Sequence, residues 1–449
     1  MAASAGARPM ICTLDTTEVA SATAMDQFDA GCVALMDRWQ PMAEWYEQRL
    51  KQGLDASCKA NACRIGPRVV ARDRAGRGLS GINMASQDFL SLASHPKILA
   101  AASAAARRYG VHSAGTAMQM GLTTLTTMLE DRIARFVGMG QATVFPSGWT
   151  AGFGAIRALV RPGDHVLVDA HARECLQDGA AASGARVHQL PHGSYEAIAR
   201  RLERLRDEDP QAGILVVTEA LFAMEQGAPD LHALQSLCRR YAATLLVDVA
   251  NDLGALGPTG RGVCEMQDIH GGIDILTGSF SKTFAANGGF VASNHPALRL
   301  ALRVGSSVQG CSNAMSPLQA AVVLAALEIV DSEEGAERRT RLMQNIERLR
   351  EGLQDAGFEV TGAPGAVVTV RLGRLECARR LTADMLAHGA LLNLTEPLTP
   401  GSAHALWRLK LLADHGADEV DGFVAIAREA KARLDDVNAR TAALQYAVA

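Results

Sequence analysis

ILTGSFSKTFAANGGFVA, residues 275–292, is the stretch whose reading decides the fold. The apolar run at 273–277 predicts a buried strand, and the chain then turns through small and hydroxyl residues that hold one lysine, Lys282. Ser279 and Ser281 precede it, Gly288 and Gly289 follow it, and no acidic residue lies beside it in sequence. A lysine so placed suits a Schiff base with a carbonyl cofactor. Upstream, the run 244–247 of TLLVDVANDLG predicts a second buried strand, with Asp248 at its end. An acid that ends one strand and a lysine that follows the next, 34 residues on, form a more specific pattern than either alone. The acid can hold a proton on a heterocyclic nitrogen while the lysine holds the carbonyl carbon.

Around this pair the chain alternates regularly. Helical spacing at 97–109 and in LEDRIARFVGM is followed by ATVFPSGWTAGFGAIRAL (strand, turn, helix) and DHVLVDAHARECLQDGAAASG (strand, loop, helix). GILVVTEALFAMEQGAPDLHALQSLCRRY continues the series. Strands alternating with helices of 10–15 residues predict an α/β fold with a mostly parallel sheet covered on both faces. Two long helices are expected after residue 314, then the strands FEVTGAPGAVVTVRLG and LWRLKLLAD and a closing helix, which make a smaller C-terminal α+β domain. The expected division is 1–96 (leader, helix and short strands), 97–315 (large domain) and 316–449 (small domain). Residues 1–25 read as an unperiodic leader and 26–53 as one docked helix.

Composition narrows the function. With 449 residues, 48% hydrophobic, and a net charge of −4, the chain can bury a large core and offers no electrostatic case for nucleic acid. No apolar run reaches the roughly 18 residues of a membrane span, and no secretory signal pattern opens the sequence. Nine scattered cysteines, with only Cys58 and Cys63 close together, point to reduced thiols, a cytoplasmic location and no metal site.

Seven segments occur in one order: QDFLSLASHP, PSGWTAG, DAHAREC, TEALFAMEQG, VDVANDLGALGPTGRG, GSFSKTF and LWRLKLLADHGADEVD. On these the chain resembles fold-type I pyridoxal-phosphate enzymes, and most closely the α-oxoamine synthases, over about residues 83–433. The resemblance implies pyridoxal 5'-phosphate as cofactor and Lys282 as its attachment point. Asp248 is implied at the ring nitrogen, His171 stacked on the ring and Asn251 near the phenolic oxygen. Ser147, Gly148, Trp149, Ser279 and Ser281 are implied at the phosphate. Ser147–Trp149 also fits that role physically, because a strand-to-helix turn offers free amides to an anion. Arg408 and Asp88 are implied at the substrate carboxylate. A homodimer is implied too, in which Ser312 or Asn313 reaches the neighbour's cofactor phosphate.

The reaction implied is decarboxylative condensation of a small amino acid with an acyl thioester, delivered by coenzyme A or a carrier protein, to an α-aminoketone. An aldolase, decarboxylase or aminotransferase on the same fold, and a non-catalytic partner subunit, are the alternatives. Ala117, Thr126, Ala223 and Asn251 depart from the family pattern by trading larger or titrating groups for smaller or neutral ones. The pocket is therefore expected to prefer an amino acid other than glycine.

Overall fold

The computed structural model describes residues 16–222, 227–397 and 404–448. A first sheet opens the chain: β1 (Ala60–Asn61), β2 (Arg68–Arg72) and β3 (Gly78–Asn83) run antiparallel in that order. The main sheet follows, built from β4 (Gln141–Phe145), β5 (His165–Asp169), β6 (Arg186–Leu190), β7 (Ile214–Glu219), β8 (Thr244–Asp248), β9 (Ile275–Ser279) and β10 (Gly289–Ser293). Its strand order is β4-β10-β9-β8-β7-β5-β6. The pairs among β5 to β9 are parallel, whereas β10 runs antiparallel between β4 and β9.

Strands β7, β9 and β10 are buried along their whole length, which is why they read as apolar runs without alternation. Helices cover both faces, and their starts are set by local chemistry: Thr123, Ser147, Ser194, Asp230 and Ser316 each accept an amide of the first turn. Helix Pro317–Val330, which the sequence division assigns to the C-terminal segment, packs on Pro96–Tyr109 and Thr124–Phe136.

The last part of the chain adds β11 (Glu359–Thr361), β12 (Val367–Arg371), β13 (Ala390–Leu391), β14 (Leu394–Thr395) and β15 (Leu406–Lys410). Four of them form the third sheet, β11-β12-β15-β14, while β13 leaves it and pairs parallel with β3. The first sheet is thus closed by a strand from the far end of the sequence. Near the N-terminus the expected 26–53 helix narrows to Gln40–Lys51, preceded by turns and two single 3-10 turns. Part of the expected leader is ordered as helix Thr16–Ser21, where Val19 and Ala20 are buried.

One carboxylate holds this N-terminal segment down. Glu396 accepts two hydrogen bonds from Arg49 (3.1 and 2.5 Å) and two from Arg379 (3.1 and 2.7 Å). Both guanidiniums lie against the Trp45 ring, whose indole Nε1 donates to Val19 O at 3.1 Å. Arg379 also donates to the carbonyls of Ala20 and Ala22, each at 2.8 Å. Among the described residues no helix is long and apolar enough to cross a membrane.

Candidate active site

The register of the main sheet builds the centre of the site. Glu219 stands opposite Asp248, and Asp248 opposite Thr277, so the carboxyl ends of β7, β8 and β9 present three polar side chains in a row. Ligands of open parallel sheets bind at these ends. Asp248 is buried and takes hydrogen bonds from Ala250 N (2.9 Å) and Thr277 Oγ1 (3.2 Å).

Arg173, in the loop after β5, reaches across the same strand ends. Its amide donates to Glu219 Oε1 at 2.7 Å and its Nη2 to Glu219 Oε2 at 2.9 Å, while that Nη2 also lies 3.3 Å from Asp248 Oδ1. Burial works against the charge of Arg173, but Asp248 and Glu219 outweigh it and raise its pKa.

Lys282 follows β9 and looks onto this cluster. Burial, and then the Arg173 charge, bring its pKa down to about 7, only partly offset by Asp248 and Glu219. Arg408, on β15 of the third sheet, acts on it in the same direction. Arg408 Nε is buried with no acceptor, and burial and Arg173 lower the pKa of this guanidinium. The cationic side chain therefore waits for an anion that the described residues do not supply.

The second part of the site is the turn after β4. Ser147 caps helix Gly148–Leu159 in a reciprocal capping box with Thr150. Gly148 is there for space: a Cβ on it would stand 2.4 Å from Ser279 Cβ and 2.6 Å from Ser279 Oγ. This close approach sets the helix N-terminus beside the Ser279–Ser281 pair, whose hydroxyls are 2.7 Å apart. Free first-turn amides next to two hydroxyls fit a phosphate. With a lysine whose pKa is brought down to about 7 and a buried acid at a strand end, the donor set fits a phosphorylated pyridine aldehyde.

Several expected site residues have other partners in the structure. His171 is exposed; its ring stacks on His192 (centroids 4.3 Å apart), and its amide is turned to Asp169 Oδ1 at 2.8 Å. The side chain of this loop that reaches Asp248 is Arg173, two residues on. Asp88 is committed to its own turn: its two oxygens accept the amides of Leu92 and Ala93, each at 2.9 Å, and burial raises its pKa despite them. It is no carboxylate-binding group.

Asn251 is buried and spends its Nδ2 on Leu221 O (2.9 Å) and Glu219 Oε2 (3.3 Å), so it fixes the loop and Glu219. Trp149 projects outward and stacks on Phe153. Ser312, expected at the neighbouring subunit's phosphate, is exposed at the end of helix Ser307–Cys311; beside it Asn313 bridges to Thr116 and contacts His112. Thr126 is a buried partner of the Thr123 cap, Ala117 is buried, and Ala223 lies outside the described residues.

Sequence reasoning missed Arg173 and Glu219. The signal was present in ILVVTE, where a strand otherwise apolar to its end closes on a carboxylate. A buried acid there requires a cation, and DAHAREC offers one.

Comparison with known proteins agrees with this geometry. The family described as "Aminotransferase class I and II" matches residues 80–425. An 8-amino-7-oxononanoate synthase of Geobacter sulfurreducens is 35% identical over 380 residues, covering 84% of this chain and 95% of the relative. The enzyme of the same name from Salmonella paratyphi B is 30% identical over 387 residues, covering 85% and 98%. Serine palmitoyltransferase of Sphingomonas wittichii superposes with a TM-score of 0.83 at 26% identity, over 90% of this chain and 99% of that one. A serine palmitoyltransferase solved with bound pyridoxal phosphate superposes with the same score, identity and coverage.

The chain belongs to the aminotransferase class I and II family, in its α-oxoamine synthase branch. It is a pyridoxal-phosphate-dependent enzyme of acyl transfer on a fold-type I scaffold.

Proposed function

We propose that Lys282, Asp248 and Arg408 carry the decarboxylative condensation of an amino acid with an acyl thioester, the reaction of this enzyme class. The carbon–carbon bond forms between Cα and the acyl carbon, the thiol leaves, and the carboxylate departs as carbon dioxide, giving an α-aminoketone. Bound pyridoxal phosphate supplies the aldehyde that takes up an amine and the ring that draws electrons from Cα.

The protein's own residues do the rest. Lys282 would hold the cofactor's carbonyl carbon, and its amine, with a pKa brought down to about 7, would accept the Cα proton. Asp248 keeps a proton on the ring nitrogen. Arg408 takes the substrate carboxylate, for which a planar two-donor group is suited. Gly148, Ser279 and Ser281 form the phosphate cradle. The observation that carries this reading is that buried Lys282, after β9, is acted on by Asp248 at the end of β8 and by Arg408 of β15.

The homodimer belongs to the same reading. Its support is the exposure of Val111, Met118 and Met120 on the segment that bridges to Asn313, with half-exposed Trp149 near the cradle. Free thiols at the eight described cysteines accord with a cytoplasmic location.

The four departures expected to disfavour glycine now carry less weight, since Thr126 and Asn251 serve the framework. A small amino acid remains the proposal, with its identity to be set by assay. The test is carbon dioxide release from glycine, alanine or serine with acyl thioesters of graded length. Release that depends on the thioester supports the assignment. Release without a thioester, or transamination alone, replaces it with another reaction of the fold.

A further inference from the structure

Arg173 stands in the cluster with more carboxylate than it needs. One guanidinium faces Glu219 and Asp248, which lie in register at the ends of β7 and β8. Glu219 grips Arg173 twice, through its backbone amide and through Nη2, while Asp248 meets it by a single 3.3 Å contact. Asn251 donates to Glu219 and steadies it. Glu219 is therefore the fixed partner of Arg173, and Asp248 the one that can be released.

The contacts agree. Glu219 is committed to Arg173 by two hydrogen bonds and is also acted on by Arg408, so Asp248 is the carboxylate left to take a second cation. Lys282 is a poor candidate, because burial and Arg173 bring its pKa down to about 7. A protonated ring nitrogen supplies that second cation. The cluster then resolves into two neutral pairs, Arg173 with Glu219 and the ring nitrogen with Asp248. Arg173 Nε is buried and has no acceptor, so the side chain is not satisfied by the protein alone.

We propose that Arg173, anchored by Glu219, is a positioning residue that faces the cofactor ring, yields Asp248 to the ring nitrogen, and keeps a permanent positive charge beside Lys282. This rests on the reading of Lys282 and Asp248 given above. Arginine suits the task because its planar face packs on aromatic rings and its charge does not titrate, unlike that of an imidazole. A fixed cation also disfavours protonation of the nitrogen at Lys282.

The other charged groups acting on Lys282 are Asp248, Glu219 and Arg408. Cys175 and Asp252 also feel Asp248 and Arg173; burial pushes the Cys175 thiol up to about 12 and the Asp252 carboxyl up to about 7. Burial raises the pKa of Glu219 and Asp248 adds to this, while Arg173 opposes both.

The experiment uses the cofactor-loaded protein and reads the pH midpoint of its visible absorbance, together with the dissociation constant of pyridoxal phosphate. R173Q is expected to move the midpoint up by about one pH unit and to weaken cofactor binding. R173K keeps the charge without the planar fork, so its midpoint stays near the parent's while binding weakens. E219Q removes the counter-charge and moves the midpoint down, opposite in sign to R173Q.

Opposed shifts support the proposal, because a merely structural pair would alter stability without reversing the sign. Unchanged midpoints in R173Q and E219Q, or shifts of one sign in both, overturn it. If R173Q does not fold, R173K and E219Q decide the matter, and an unmoved E219Q midpoint then overturns the proposal. Borohydride labelling of the parent protein separates the two layers: a label away from Lys282 sinks the cofactor reading itself, whereas a label on Lys282 with unmoved midpoints sinks only the role of Arg173.

Discussion

A lysine attacks a carbonyl only as the free base, and the surroundings of Lys282 bring that form within reach of neutral pH. Its pKa lies at about 7, so the amine is protonated below that value and free above it. Cofactor uptake by the apoprotein, followed by visible absorbance, should accelerate from pH 6 to 8 and level off beyond. A rise centred near the ordinary lysine value of roughly 10 would contradict this environment. Asp248→Asn keeps an oxygen for the Ala250 amide but loses the charge that holds a proton on the ring. It should bind cofactor and lose on the order of a hundredfold or more in kcat; near-parental turnover would move the ring-nitrogen role elsewhere. At this scale the sequence was legible where a residue follows directly from a strand end, as at Lys282 and Asp248. It was not legible one turn further out. In DAHAREC, His171 and Arg173 both follow β5, and only the packed loop shows that Arg173 turns inward while His171 stacks on His192. Asp88 misled for a related reason, since a loop acid satisfied by its own amides reads like a ligand.

Elements meet tightly where the helix Gly148–Leu159 starts against the end of β9. Gly148→Ala places a methyl group 2.4 Å from Ser279 Cβ, so the helix or the strand has to move. Overpacking of this kind costs about 1–3 kcal/mol. The variant should melt earlier and release pyridoxal phosphate more readily, and a variant with parental melting and affinity would show that the junction yields. The parallel core was readable because strands buried on both faces carry continuous apolar runs. The antiparallel insertion of β10 between β4 and β9 was not, since GGFVA is as apolar as its neighbours and carries no mark of direction. The pairing of β13 with β3 was equally silent, because two residues, Ala390 and Leu391, carry it.

Across the whole molecule, the N-terminal segment is bound to the C-terminal part of the chain by Glu396, a residue 347 positions from Arg49 and 17 from Arg379. No local pattern announces such a partnership. The side chains of Arg49 and Arg379 are 2% and 0% exposed, so Glu396→Ala strands two buried cations. A loss of about 3 kcal/mol is expected, as for other broken buried pairs, and thermal unfolding measures it. A parental melting temperature would show that the Trp45 ring and the carbonyls of Ala20 and Ala22 suffice to hold the two arginines.

The closure of the first sheet by β13 also has a consequence in time. Strand β3 is finished at Asn83, but its parallel partner begins only at Ala390. On a ribosome that adds about 5–20 residues per second, the N-terminal sheet waits on the order of fifteen seconds to a minute for its last strand. Throughout that interval the β3 edge that β13 will cover stays open to any other strand, so the slowest and most chaperone-dependent stage of this chain's life should be the birth of its beginning, completed near its end.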